Sequence, residues 1–149
     1  MTTDTTGDRV VRAERIIPAD VATVFDVLAD PKQHAAIDGS GSVRHTTGHA
    51  PERLALGSRF AMRMKIGLPY LVHNEVVEFE EGHRIAWRHI SRHVWRYLVD
   101  PVPGGTRVTE EFDWGPSRAP WLLELLHVPE RNQASMEKTL ARLEAHVAG

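Results

Sequence analysis

A carboxylate, an imidazole and a phenol stand on strand faces that are otherwise apolar, and these groups are the ones most able to do chemistry. Glu110 lies between Val108 and Phe112 in an alternating strand pattern, where an unpaired carboxylate is costly to bury. His89 and Tyr97 fall on the same face of neighbouring predicted strands and can hydrogen-bond it. Glu110 or His89 would then act as a general base beside a ketone, and Tyr97 would stabilise the enolate oxygen.

Bulky apolar side chains share these faces. They can fill a core, or they can line a cavity with a few polar groups, which is the usual form of a small-molecule site. We predict the second arrangement, with Asn132 adding an amide from the last helix; should Glu110 face outward, Asn74, His73 or Asn132 would supply the polar end. The predicted ligand-binding residues are Phe60, Met62, Met64, Trp87, Trp95, Phe112, Trp114, Asn132 and Met136.

The nine histidines raise the question of a metal site. The two pairs spaced four apart, at 45/49 and 89/93, do not lie on predicted helices, so the spacing does not align their rings. The chain has no HExxH pattern, no Gly-x-Ser-x-Gly elbow and no phosphate-binding loop. A site formed by His73, His89 and Glu110 is the weaker alternative, and we predict neither a metal nor a cofactor.

The composition of the chain excludes further classes of protein. The 149 residues, 42% of them hydrophobic, are enough for one domain with its own core. The absence of cysteine excludes a disulfide scaffold and thiol catalysis, and fits a cytoplasmic location. A net charge of −2 gives no general attraction to nucleic acid, and no apolar run is long enough for a membrane span. We expect a disordered tail over residues 1–8 and a single domain over 9–149.

The elements that position these residues begin with a strand and two short helices. A strand is predicted from Val10 to Ile17, rich in β-branched residues. Asp20 is the predicted N-cap of a first helix, because its carboxylate can accept a free backbone N–H. Asp30-Pro31 begins a second short helix, which ends near Asp38.

From Val43 to Trp114 the hydrophobicity alternates with a period of two, which predicts about six antiparallel strands. Residues 70–80 alternate imperfectly, so their inward face stays unassigned. The arginines at 59, 63, 84, 88 and 96 fall on the outward face. Interleaved Glu111 and Asp113 favour charge pairing there over nucleic-acid binding.

The last third of the chain returns to helical spacing. A first apolar stripe contains Trp121, Leu122, Leu125 and Leu126, and Pro129 then kinks or breaks the helix. A longer stripe follows, formed by Met136, Leu140, Leu143 and Val147. The predicted class is α+β, with the last helix lying across a curved antiparallel sheet.

Several short patterns in this order resemble the Bet v 1/START-like (SRPBCC) superfamily, in its polyketide cyclase/dehydrase branch. They are the opening over residues 13–31, Gly57-Ser58-Arg59-Phe60, Ile85-Ala86-Trp87, and the run over 105–109. Many members carry a Trp near the end of the second short helix, where this chain has Ile37-Asp38. The resemblance, over residues 10–147, implies a helix-grip fold: seven antiparallel strands around the long terminal helix, with a cavity between them.

Three functions remain open at this point. The first is binding of an apolar ligand, aromatic, polyketide-like or lipid-like, which is what the resemblance implies. The second is an aromatase/cyclase or dehydratase that uses Glu110 and His89. The third is a chaperone-associated or regulatory protein with a filled interior, so a cavity above about 300 Å³ would favour the first two. We expect a monomer or a homodimer.

Overall fold

The computed structural model describes residues 9–39, 43–47, 51–66, 68–89 and 92–148. At 43–47, 64–66 and 69 only the backbone is described. The predicted tail at residues 1–8 lies outside this part of the chain. The elements, in chain order, are β1 (Val10–Ile17), α1 (Val21–Leu28), a 3₁₀ turn (Pro31–Gln33), α2 (His34–Ile37), β2 (Val43–Thr47), β3 (Arg59–Ile66), β4 (Leu68–Glu80), β5 (Arg84–His89), β6 (Val94–Val102), β7 (Gly105–Asp113), α3 (Pro120–Leu125) and α4 (Val128–Ala148).

The strands form one antiparallel sheet in the order β1-β7-β6-β5-β4-β3-β2. Consecutive strands from β2 to β7 are neighbours, and β1 closes the other edge beside β7. The long helix α4 packs on β1 and β7, with α1 and α2 beside it. The α+β class, the antiparallel sheet and the long C-terminal helix are confirmed.

Both predicted helix starts are built as the sequence indicates. Asp20 Oδ1 accepts the Thr23 N–H at 2.8 Å, and Asp30 Oδ1 accepts the Lys32 N–H at 3.0 Å. Each carboxylate therefore satisfies a backbone donor that has no partner within its helix.

A β-bulge explains why residues 70–80 alternate imperfectly. Val76 pairs with Trp87, but the next pair joins Glu78 to Ala86, so β4 holds one extra residue between them. Before the bulge, Asn74 and Val76 are buried on the inner face. The extra residue reverses the alternation, and Glu78 therefore reaches the outer face.

The outer face of the sheet is covered by paired charges. Arg96 donates to Glu78 at 2.9 and 2.8 Å and to Glu111 at 2.8 Å. On the same face of β5, Arg88 is exposed, whereas the preceding residue, Trp87, is buried. The prediction that the tryptophan faces inward and the arginine outward is confirmed, because one residue of slip would exchange them.

The two C-terminal apolar stripes have different environments. Met136, Leu140 and Leu143 of α4 are buried, as predicted. The stripe on α3 is exposed, with Trp121 at 63% and Leu125 at 67%. The chain turns at His127, whose φ is 58°, and Pro129 lies in the first turn of α4. Pro129 therefore follows the break between two helices, where its missing N–H is not needed.

In the described part of the chain, no helix has the length and apolar character required to cross a membrane.

Candidate ligand-binding site

The inner face places the predicted aromatic residues in two adjacent rows of cross-strand neighbours. Trp87 pairs with Trp95, which pairs with Phe112 across β5, β6 and β7. The next row joins Tyr97 to Glu110. Trp95 is half-buried and the other four residues are buried. The period of two along each strand thus brings Tyr97 and Glu110, two of the three predicted polar residues, directly opposite each other.

Glu110 is a buried carboxyl group with one satisfied oxygen. Glu110 is only 3% exposed, and the Tyr97 hydroxyl donates a hydrogen bond to its Oε2 at 2.9 Å. No described atom bonds to Oε1. Burial raises the pKa of Glu110 to about 8, opposed by the Tyr97 hydrogen bond and aided by the charge of Asp38. At neutral pH the group is therefore mostly a carboxylic acid, able to donate from the oxygen that has no partner.

The phenol of Tyr97 is held in its neutral form by the same environment. Burial raises its pKa well above the ordinary value, and the negative charge of Glu110 would raise it further. The hydroxyl is consequently a fixed hydrogen-bond donor rather than a base.

His34 is a buried imidazole that the sequence reading missed. It is 6% exposed, its ring stacks on Trp87 with centroids 4.9 Å apart, and its Nε2 lies 2.9 Å from the Leu28 carbonyl oxygen. Because a carbonyl only accepts, Nε2 carries the proton, and Nδ1 is an acceptor without a described partner. Burial lowers the pKa of His34, so the ring is neutral. The sequence does contain a signal that His34 is buried. His34 lies three residues before Ile37, so the two share one face of the helix, and Ile37 is buried.

Asn74 contributes a second buried acceptor. The residue is 4% exposed, its amide nitrogen donates to the Val72 carbonyl at 3.4 Å, and its Oδ1 has no described partner. Asn74 pairs with Phe60 on β3 and with His89 on β5. From the sequence, Asn74 is predicted only as an alternative to Glu110, because the β-bulge that decides which way its side chain faces cannot be recognised in the sequence.

A continuous set of aromatic contacts links these polar groups. Trp87 lies 4.9 Å from the His34 ring, 5.7 Å from Phe60 and 5.7 Å from Tyr97, measured between centroids. Tyr97 in turn holds Glu110. We call His34, Asn74 and Glu110, with Trp87, Phe60 and Tyr97 between them, the inner polar cluster. It offers one donor and two acceptors within apolar walls.

His89 is not brought to Glu110. Glu110 and Tyr97 share a row with Ile85, and His89 lies four residues further along β5, which is about 13 Å. Its ring instead lies 4.4 Å from that of His93. Burial, with the nearby imidazole second, lowers the pKa of His89 to about 3, and burial lowers that of His93 to about 4. Both rings are therefore neutral and separate from the carboxyl group.

The remaining predicted ligand-binding residues differ in their surroundings. Phe60 and Met62 of β3 and Met136 of α4 are buried among the core side chains. Asn132 is half-buried on α4, and its amide forms no hydrogen bond with a described residue. The side chain of Met64 lies outside the part of the chain that the structure describes.

Trp114 is buried against α3, where its polar atom is already satisfied. The indole N–H donates to Glu124 Oε2 at 2.7 Å, and Arg9 Nε donates to the same oxygen at 2.8 Å. The ring stacks on Phe112 at 5.8 Å. This arrangement ties α3 to the ends of β1 and β7, which favours a structural role for Trp114.

A cleft of about 490 Å³ opens beside the inner polar cluster, at the end of β5. Residues 68–73 of β4 pair with β3 but have no partner on β5. The cleft is lined from both faces of the sheet, by Arg59, Phe60, His73, Asn74, Glu75, Arg88, His89 and Arg92. Because Phe60 and Asn74 belong to both the cleft and the inner polar cluster, the two adjoin each other.

Among the residues with described side chains, no three histidine, aspartate or glutamate groups are close enough together to hold a metal ion. The alternative of His73, His89 and Glu110 as a joint site is thus not assembled.

Comparison with known proteins gives the family. Residues 8–148 match the family model described as "Polyketide cyclase / dehydrase and lipid transport". An uncharacterised protein of Mycobacterium tuberculosis is 35% identical over 133 residues, which are 85% of this chain and 59% of that protein. The chain thus spans about three fifths of the length of the curated relatives it matches.

Solved structures share the fold. A protein of Nitrosomonas europaea aligns with a TM-score of 0.75 at 16% identity, covering 95% of both chains. The AHSA1-like protein of Aeromonas hydrophila aligns with a TM-score of 0.71 at 22% identity, covering 93% of this chain and 92% of that one. Since the family model spans nearly every residue and the neighbours share the whole architecture, the chain belongs to the polyketide cyclase/dehydrase and lipid transport family of SRPBCC-type proteins.

Proposed function

We propose that the chain binds an apolar small molecule that carries both a hydrogen-bond acceptor and a donor. One observation carries this proposal: three polar atoms of the inner polar cluster, Glu110 Oε1, His34 Nδ1 and Asn74 Oδ1, are buried without a described partner. A buried polar atom without a partner is destabilising, so these three atoms favour a bound molecule, water or ligand, that satisfies them, and the aromatic walls around them favour an apolar ligand.

The protonation states define what such a ligand would present. Glu110, as a carboxylic acid, donates to a ligand carbonyl, whereas neutral His34 and Asn74 accept from a ligand hydroxyl or N–H. The groups around these atoms are aromatic, with His34, Phe60 and Tyr97 all packed against Trp87, which suits a ligand that contains a ring system. An aromatic hydroxy-ketone has this combination of groups.

The test uses 6-hydroxy-2-acetonaphthone, with naphthalene as the control that lacks both polar groups. Binding is followed by tryptophan quenching at pH 7 for wild type, Glu110→Met and Glu110→Gln. Met removes the donor, so we expect at least about a tenfold loss of affinity for the ketone and little change for naphthalene. Gln keeps an N–H donor of similar shape, so it retains most of the affinity.

The pH dependence provides a second readout of the same contact. As pH rises through about 8, Glu110 loses the proton that it donates, so affinity of wild type for the ketone falls while that of Glu110→Gln does not. Equal affinities of wild type and Glu110→Met for the ketone at pH 7 would contradict the proposal.

A second candidate function, acid-assisted enolisation of a bound ketone, is favoured by the raised pKa of Glu110. Glu110, a carboxylic acid with a pKa of about 8 beside the Tyr97 hydroxyl, would give its proton to the ketone oxygen while the unprotonated Nδ1 of His34 takes the α-proton, so that the neutral enol forms. The roles suggested by sequence change accordingly: Glu110 is an acid rather than a base, and His89 has no part. Deuterium exchange at the acetyl methyl of the same naphthone, followed by NMR, separates binding from catalysis. Exchange no faster than in buffer leaves a binding protein.

The third possibility, a regulatory protein with a filled interior, is less favoured by the same observation. A filled interior would be expected to pair its buried polar atoms, and the inner polar cluster leaves three without described partners.

A further inference from the structure

We propose that the cleft at the end of β5 binds a carboxylate or phosphate group carried by the ligand, with Arg59 and Arg92 as the residues that recognise it. The ligand would then be an amphipathic anion, whose apolar part extends past Phe60 into the inner polar cluster. This inference rests on the proposed function and deepens it by naming the charge of the ligand.

The charge of the cleft is opposite to that of the chain. Three guanidinium groups, those of Arg59, Arg88 and Arg92, share the lining with one carboxylate, that of Glu75, whereas the chain as a whole has a net charge of −2. His89 is neutral because burial lowers its pKa to about 3. The cleft therefore concentrates positive charge that the composition of the chain does not explain.

Within the described residues, two of the three arginines have no acidic partner. Arg88 lies 3.5 Å from Glu75, which is also the cross-strand neighbour of Arg59. Neither Arg59 nor Arg92 forms an ion pair or hydrogen bond through its side chain with any residue that the structure describes. Elsewhere on the outer face, Arg96 is by contrast fully engaged by Glu78 and Glu111.

The backbone conformation at Arg92 places this residue beside the cleft. Arg92 has a φ of 79°, a left-handed conformation that is unfavourable for a residue with a side chain. Its N–H donates to the His89 carbonyl at 2.9 Å, which closes the turn after β5. Glycine would be the ordinary choice at such a position, so an arginine there is consistent with a role for its side chain.

One residue, Phe60, connects the arginine-lined cleft with the apolar interior. Phe60 lines the cleft and also lies 5.7 Å from Trp87 and 5.8 Å from His34, between ring centroids. Arg59 is its chain neighbour and, by strand alternation, points to the opposite face. A volume of about 490 Å³ is within the usual range for a small-molecule site.

The test compares two probes matched in size and shape, one an anion and the other neutral: the naphthone with a hexanoate chain on a ring carbon and its hydroxyl left free, and the matching hexanamide. Affinities are measured by tryptophan quenching for wild type, for the double variant Arg59→Gln/Arg92→Gln, and for Arg107→Gln, an exposed arginine outside the cleft. In wild type we expect the hexanoate to bind at least about tenfold more tightly than the hexanamide. The double variant should reduce this ratio to about one without changing hexanamide affinity, and Arg107→Gln should preserve it.

The outcomes separate this inference from the proposed function. A ratio near one in wild type, or a ratio that survives the double variant, would overturn the anion site while leaving naphthone binding intact. Failure of the naphthone itself to bind would overturn the proposed function. Inorganic phosphate is titrated alone by calorimetry: no binding below millimolar concentration is expected, and micromolar binding would overturn the assignment to a group carried by the ligand.

Discussion

Replacing Glu110 with glutamine should remove a defined part of the dependence of folding stability on pH. The carboxyl group has a pKa of about 8 in the fold, raised from 4.5 chiefly by burial. Between these values the folded chain holds a proton that the unfolded chain has released. Stability from this group is therefore complete below pH 4.5 and is lost as pH rises toward 8, at ~1.4 kcal/mol per pH unit.

Glutamine resembles the protonated carboxyl but does not ionise, so Glu110→Gln should become more stable relative to wild type as pH rises. Between pH 5 and pH 8 the difference should grow by roughly 3–4 kcal/mol, allowing for partial ionisation near pH 8. Of the charged and titratable groups acting on Glu110, Tyr97 lowers its pKa and Asp38 raises it, and both are present in wild type and variant.

The assay is urea unfolding followed by tryptophan fluorescence at pH 5, 6, 7 and 8. His34, His89 and His93 have lowered pKa values, so they destabilise the fold as pH falls below 6.5, the opposite trend. They are shared by both proteins and cancel in the difference. Glu137→Gln, at an exposed position of α4, is the matched control, and its difference from wild type should not follow this slope.

A difference between wild type and Glu110→Gln that stays constant within about 0.5 kcal/mol over this range, beyond the control, would refute the reasoning. It would mean that Glu110 ionises in the fold as readily as in the unfolded chain, and that its Oε1 is solvated. The proposal that this oxygen donates to a ligand would then lose its basis.

Four further substitutions test the packing, each by the same urea titration. Leu140→Ala should cost about 2–5 kcal/mol because the side chain is fully buried on α4, whereas Leu125→Ala, 67% exposed on α3, should cost less than about 0.5 kcal/mol; equal losses would contradict the helix orientation. Gly39→Ala should cost at least about 1–3 kcal/mol, since an added Cβ would lie 2.5 Å from α4 backbone atoms, and a neutral effect would mean that α2 and α4 are further apart. Arg96→Met should cost about 1–3 kcal/mol by removing charged hydrogen bonds to two outer-face carboxylates; no loss would show that the pairing is incidental.

Alternation along the strands was sufficient to predict most of the inner face. Trp87, Tyr97 and Glu110 each follow a period of two in an unbroken strand, so their orientation depends only on local sequence. The hydrogen bond from Tyr97 to Glu110 also follows from sequence, because adjacent strands joined by a short turn fix which residues are opposite.

Features that depend on contacts distant in sequence could not be predicted in this way. The bulge in β4 arises from how the strand pairs with β5, and it alone decides that Asn74 faces inward and Glu78 outward. The separation of His89 from Glu110 depends on how β5, β6 and β7 pair. Two residues can share a face of the sheet and still lie several rows apart. The exposed face of α3 shows that an amphipathic pattern predicts a helix without showing that its apolar side is covered.

The inner polar cluster illustrates why only part of a site can be predicted from a sequence. Its polar atoms come from α2, β4 and β7, which meet only when the sheet curves around α4. Each residue, taken alone in the sequence, resembles an ordinary structural side chain: His34 follows a proline turn, and Asn74 interrupts an apolar strand. What distinguishes them is that His34 lies against Trp87, Glu110 against Tyr97 and Asn74 opposite Phe60, each with a buried polar atom that has no described partner. The aromatic framework is therefore encoded locally, whereas the polar pattern that would select a ligand is a property of the tertiary fold.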